Sequence, residues 1–165
     1  MEQPLYNLFH RSRVEREYLP LYPELGLTIY SPLAEGILAG RYAVAVPSDS
    51  RGAQRSALLE RQTQIRAAER LRPMALELNC TVAQLSLAWT LRNGHVSSAI
   101  MGASKLSQLE ENLGALECLE RFQVDTAERM QPLGSEVSSP FSVIDMEFTA
   151  DLWLRFKRLK ARSTV

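Results

Sequence analysis

His10, His95, Cys80 and Cys118 are the side chains of this sequence best suited to hold a metal or act as a nucleophile. Their separations match no metal-ligand pattern, in which ligands fall in closely spaced pairs, so we assign no metal and read both histidines as exposed or hydrogen-bonded side chains. The two cysteines stand 38 positions apart in a chain with no export signal, which favours reduced thiols over a disulfide. Asn79-Cys80-Thr81 spells a glycosylation sequon, which without any sign of export reads as a chance match. No Gly-x-Gly-x-x-Gly and no Gly-x-x-x-x-Gly-Lys-Ser/Thr occurs, so any phosphate site must be of another kind than the Rossmann turn or the P-loop.

Such a site would need elements to carry it. Pro4-Leu5-Tyr6-Asn7-Leu8 is a short apolar run suited to a buried strand. Residues 12–25 space Val14, Leu21, Tyr22 and Leu25 as a helix that stops at Gly26, with Pro20 and Pro23 leaving it short or broken. Leu27-Thr28-Ile29-Tyr30 reads as a second strand, ended by Ser31-Pro32 because proline cannot donate to a ladder. Gly36 and Gly40 flank a small apolar segment, and the stretch from there to Ser56 reads as a long surface loop, a kind that is usually functional or disordered. An apolar stripe over 57–78 predicts a long amphipathic helix bent near Pro73. Thr81 then caps a helix through Val82, Leu85, Leu87, Ala88, Trp89 and Leu91 that stops at Asn93-Gly94. Residues 96–101 predict a third strand and 106–116 a further helix. Strands alternating with helices indicate an α/β fold, and three strands in crossover order, each followed by small or polar residues, supply the ligand-binding edge of a parallel sheet or barrel.

The 165 residues carry 19 Lys+Arg against 19 Asp+Glu with 45% hydrophobic content, which predicts a soluble, cytoplasmic globular unit. Zero net charge gives no general pull toward nucleic acid, and no apolar run is long enough to span a bilayer. The first residues lack the basic-then-apolar order of a secretory signal. Composition shifts near Leu133, where Ser-rich residues 135–150 lead into a basic end carrying Arg155, Lys157, Arg158, Lys160 and Arg162 against Asp151. We therefore divide the chain into a folded part, 1–133, and a linker with a basic tail, 134–165.

Five segments, EQPLYNLFHR, LTIYSPLAEGILAGRY, PSDSR, LSLAWTLRNGHVSSAIMGAS and SQLEENLGAL, resemble in that order the C-terminal half of the aldo-keto reductases, particularly the branch containing the voltage-gated potassium channel β subunits. The resemblance covers residues 2 to 130, and the YSPL and GAS-x-x-x-Q-x-x-EN segments are its most specific parts. It implies a partial (β/α)8 TIM barrel, about the last three βα units with extra C-terminal helices, and NADP(H) bound in an extended pose without a Rossmann motif.

The same resemblance assigns roles. Gln3 matches the glutamine that hydrogen-bonds the nicotinamide carboxamide, a task for a side chain with both donor and acceptor. Tyr30 matches the aromatic on which the nicotinamide stacks; read alone, it is equally a core tyrosine. Ser31, Pro32, Leu33 and Ala34 match the loop around the pyrophosphate, where small side chains let backbone N–H groups approach an anion. Arg41 and Arg51 match basic positions of the loop that closes over the cofactor, although each alone would be a solvated surface arginine. Gly102, Ser104, Gln108, Glu111 and Asn112 match the adenosine-phosphate end, where a helix N-terminus favours an anion. Many reductases of the family read K-S-x-x-x-x-R-x-x-E-N there; Gly102, Ala103 and Gln108 replace the lysine, serine and arginine, which shifts the 2′-phosphate onto Ser104 and Lys105 and leaves the preference between NADP and NAD open.

The family's Asp-Tyr-Lys-His (or Asn) tetrad, whose tyrosine is the general acid, lies on N-terminal strands that match nothing in this sequence, so no catalytic residue is carried over. A whole barrel takes about 250 residues. The resemblance thus implies the cofactor half of an oxidoreductase acting on a small aldehyde or ketone once an N-terminal half is supplied, or a non-enzymatic accessory or nucleotide-sensing protein. An open parallel sheet implies a protein partner, a second copy, partial refolding, or a truncated gene product. In the tail, Phe148, Leu152, Phe156 and Leu159 share one helical face with Trp153 beside it, which suits docking on the open half-barrel, disorder, or contact with a membrane surface or calmodulin-type partner.

Overall fold

A computed structural model describes residues 1–22, 24–42, 61–122, 124–130 and 132. It is a mixed α/β arrangement around a small parallel sheet. Strands β1 (Leu27–Tyr30) and β2 (Val96–Ile100) pair in parallel, with Tyr30 opposite Ile100 and a register shift after Leu27 that leaves Ser97 as the extra residue. Helices α1 (Gln62–Glu69), α2 (Arg72–Glu77) and α3 (Val82–Leu91) lie between the strands in sequence, and α4 (Leu106–Leu113), α5 (Ala115–Arg121) and α6 (Val124–Met130) follow β2. No helix among the described residues is long and apolar enough to cross a membrane.

The expected first strand forms only isolated parallel bridges, Glu2 to Leu27 and Leu5 to Tyr30. Its backbone does run beside β1, on the edge away from β2: Glu2 N–H donates to Gly26 O, Thr28 N–H to Glu2 O, Tyr30 N–H to Pro4 O and Tyr6 N–H to Tyr30 O. The missing rung is the one Pro4 would donate to Thr28, and proline has no N–H. Residues 12–25 give one π-helical turn, Arg13–Glu17, and one 3-10 turn, Leu19–Leu21, instead of a regular helix.

Two expected long helices are each divided. The 57–78 stripe becomes α1 and α2, and Pro73 occupies the first turn of α2, where a missing N–H costs nothing. The 106–116 helix ends at Leu113, and α5 restarts after Gly114. A Cβ on Gly114 would collide with the Gln84 amide, so α4, α5 and α3 meet closely there. The expected loop after Tyr42, the first residues of the 57–78 stripe, the boundary at Leu133 and the 134–165 tail lie outside the described residues.

Helix α3 carries apolar residues around its whole circumference and is mostly buried, packing against α5, β2, α4, α2 and the 3-10 turns of Ala34–Ala39. Trp89, Leu85 and Leu87 join Tyr6, Leu8, Leu27, Ile29, Ile37, Leu38 and Leu71 in the core. Its buried hydroxyls are satisfied: Ser86 donates to Leu38 O at 2.9 Å and Thr90 to Leu87 O at 2.8 Å. Thr81 and Gln84 form a reciprocal capping box at its start, as Thr81 leads one to expect, and Gln84 Nε2 also donates to Glu111 O at 2.8 Å. Gln84→Ala removes both a cap and the α3–α4 tie, so we expect about 1–2 kcal/mol of lost stability, read as a lower urea midpoint. An unchanged midpoint would show that water replaces both bonds without loss.

Candidate functional site

Parallel pairing sets the C-terminal ends of β1 and β2 side by side, so the segments beginning at Ser31 and Met101 leave the sheet from one edge. Those segments contain most of the residues singled out above. Strand β1 buries Leu27 and Ile29 and turns Thr28 and Tyr30 to the opposite face, leaving the Tyr30 ring 43% exposed at the edge.

The loop after β1 departs from ordinary backbone geometry. Ser31 (φ 51°), Ala34 (φ 48°) and Glu35 (φ 59°) are three of the four non-glycine residues at positive φ among the described residues, and Gly36 (φ 97°) continues the run. Left-handed residues cost about 1–2 kcal/mol each and cluster where function requires a particular backbone path. Pro32 and Ala34 are buried, whereas Ser31 and Leu33 are half-buried. The Ala34 N–H donates to Ser31 O and the Gly36 N–H to Leu33 O, so those two donors are committed within the loop. Arg41 stands exposed just past Gly40, and Arg51 lies outside the described residues.

Asn7, which sequence reading passed over, positions this loop. Buried at 1% exposure, it donates from Nδ2 to Ser31 O at 2.9 Å, while its Oδ1 accepts from the Phe9 and His10 N–H groups at 2.9 and 3.1 Å. One amide thus ties the turn at 7–10 to the end of β1. A hydrogen-bonding residue inside an otherwise apolar run was its only signal.

Gln3 and Tyr30 line one cleft of about 410 Å³, together with Leu5, His10, Arg13 and Tyr18. Gln3 is exposed in it. Its floor includes Arg11, part of a buried charged cluster that sequence reading also missed. Glu15, with a 2% exposed side chain, accepts from Arg11 Nε at 2.9 Å and from the Tyr6 hydroxyl at 2.8 Å, and pairs with Arg11 Nη2 at 2.8 Å and Arg92 Nη2 at 4.0 Å. Both guanidinium groups lie over the Trp89 ring, at 5.1 and 4.6 Å from its centroid. Burial first, then the Glu15 carboxylate, holds the Tyr6 phenol well above the usual tyrosine range. The spacing of Arg11 and Glu15 was a helical-pair signal, but charged residues are read as solvated unless their partners are visible.

At the other end of the edge, Gly102 and Ser104 are exposed, and Gln108 folds back so that its Oε1 accepts from the Ser104 N–H at 3.0 Å and hydroxyl at 3.3 Å. This side chain caps the start of α4 from within, since the N-cap position, Lys105, supplies no side-chain cap. Glu111 is exposed, while Asn112 is buried. The structure therefore gathers Gln3 with Tyr30 in the cleft, and places the Ser31–Ala34 and Gly102–Asn112 segments on adjoining strand ends. No group of three or more His, Cys, Asp or Glu suited to a metal occurs among the described residues.

A model of the Aldo/keto reductase family matches residues 1–132. The chain is 42% identical over 139 residues to a protein of Oryza sativa named "Probable voltage-gated potassium channel subunit beta", covering 79% of this chain and 42% of that protein. It is 46% identical over 127 residues to a protein of the same name from Arabidopsis thaliana, covering 72% of this chain and 39% of the relative. A third relative, a Schizosaccharomyces pombe protein also described as a subunit beta of this channel type, is 34% identical over 141 residues, 80% of this chain and 41% of that protein. The chain thus spans about two fifths of the length of these relatives.

Proposed function

The chain belongs to the aldo/keto reductase family, and on that premise we propose that it is the NADP(H)-binding portion of an oxidoreductase acting on aldehydes or ketones. The observation that supports this most is the shared edge: a left-handed, small-residue loop and the N-terminus of α4 leave adjoining parallel strands, the place where barrels commonly hold phosphate. Gln3 would hold the carboxamide and Tyr30 the ring face at the nicotinamide end. Residues Ser31 to Ala34, with Arg41 and Arg51, would hold the pyrophosphate, and Gly102, Ser104, Gln108, Glu111 and Asn112 the adenosine end. The exposed Tyr30 ring and the Gln3 amide in one cleft fit a flat, polar-rimmed heterocycle. When bound, the cofactor supplies hydride to a carbonyl carbon. The residues named here position it and provide no proton donor for the carbonyl oxygen.

Titrating the chain with NADPH and following nicotinamide fluorescence should therefore give saturable binding, while NADPH with 4-nitrobenzaldehyde should show no protein-dependent oxidation. Turnover that scales with protein and survives repurification would contradict the second expectation and locate a proton donor within these 165 residues. A second reading rests on the names of the relatives: a non-enzymatic channel-β-like accessory or nucleotide-sensing protein, acting in the cytoplasm with a protein partner. It shares the binding expectation and parts from the first in requiring no carbonyl reduction even in the presence of an N-terminal barrel half.

A further inference from the structure

Cys80 lies in the turn between α2 and α3, and Cys118 on the inner side of α5. Cys80 is half-buried and Cys118 fully buried, and the Cys118 thiol donates to Cys80 Sγ at 2.9 Å. A disulfide holds its sulfurs about 2.05 Å apart, so bond formation asks for less than about 1 Å of further approach. The backbone around both sulfurs is held by other bonds: the Cys80 N–H donates to Ala75 O, and Arg121 of α5 donates from Nε to Leu78 O at 2.9 Å and from Nη2 to Asn79 O at 3.4 Å. Asn79 itself turns through a left-handed φ of 50° to present Cys80 toward α5. Two independent segments therefore deliver the thiols to one point.

We propose that Cys80 and Cys118 are a reversible redox pair that closes into an intramolecular disulfide under peroxide. Half-buried Cys80 meets the oxidant first: its sulfur attacks one peroxide oxygen, the O–O bond breaks, and Cys80 becomes a sulfenic acid with release of water. Cys118 then attacks that sulfur, its proton leaves with the hydroxyl as a second water, and the S–S bond forms. Two thiols are oxidised and one hydrogen peroxide is reduced to two waters. Burial, with Cys80 beside it, pushes the Cys118 thiol up to about 12, which slows its own reaction with peroxide and leaves Cys80 as the thiol oxidised first. The closed form ties the α2–α3 turn to α5 and fixes α5 against the core. This inference is independent of any cofactor.

The full chain, reduced and then exposed to hydrogen peroxide, should lose two hydrogen masses per molecule, yield a peptide joining Cys80 to Cys118, and recover its mass with dithiothreitol. The yield should not depend on protein concentration. Its thermal midpoint should rise by about 5 °C or more, because the crosslink restrains the unfolded chain. Cys80→Ser, a change at the half-buried position, should abolish the mass loss while leaving a cooperative transition. Sulfinic acid or intermolecular dimers as the main product, thiols that survive peroxide in the folded chain, or an oxidised form of lower midpoint would each overturn the proposal.

Discussion

Glu15→Ala should bring the chain close to unfolding, with an expected loss of about 3–5 kcal/mol out of a total that in single domains is roughly 5–15 kcal/mol. The reason is the company Glu15 keeps. Its carboxylate faces two guanidinium groups, Arg11 at 1% and Arg92 at 7% exposure, and the Tyr6 hydroxyl. Alanine would remove from the core the carboxylate that both cations face, and the Trp89 ring face attracts them too weakly to compensate. Glu15→Gln keeps the volume and an oxygen acceptor, so its loss should be smaller. Tyr6→Phe, which removes one hydrogen bond to an acceptor that keeps its arginines, should cost about 1–2 kcal/mol. Urea unfolding of the three variants would establish the order; a Glu15→Ala midpoint within error of the parent would show that the arginines escape to solvent.

The second large effect is expected at Ala34. Its backbone sits at φ 48°, and its methyl group is buried at 2% exposure. Valine there meets two penalties: a β-branched side chain in the left-handed region, and two extra carbons in a packed site. Ala34→Val should therefore lose about 2–4 kcal/mol of stability. Under the proposed function it should also lose measurable NADPH binding, because the Ser31–Ala34 path changes. Ala34→Gly relieves the left-handed strain and gives up one buried methyl, so it should fold with a midpoint near the parent's and retain binding. Equal midpoints for the valine and glycine variants would mean that the loop is free to rearrange.

Strands β1 and β2 and helix α3 were legible in the sequence because each is bounded by a chemical stop: Ser31-Pro32 after β1, Thr81 before α3, Asn93-Gly94 after it. Periodicity extended the other helices too far. It reads side-chain type alone, whereas Gly114 ends one helix and begins another through a close approach to Gln84, a residue 30 positions away. Pro4 misled in the opposite way, since an apolar run does not reveal which N–H groups a ladder needs. At the site, the five segments that resemble the family gave the candidates from Gln3 to Asn112. They could not give the left-handed backbone at Ser31, Ala34 and Glu35, where no glycine advertises it, nor the Asn7 amide that ties Ser31 down. The buried Arg11–Glu15–Arg92 cluster was hidden for a related reason, because its third member comes from the far end of α3.

Isothermal calorimetry of NADPH with the folded, monodisperse 165-residue chain and its Gln3→Ala and Arg51→Ala variants tests the central claim most directly. The account predicts micromolar or weaker binding, since a partial scaffold must be ordered at the expense of binding energy, and several-fold further weakening in each variant from the loss of about 1–3 kcal/mol of polar contact. No heat of binding with folded protein, or binding that both substitutions leave untouched, would contradict it.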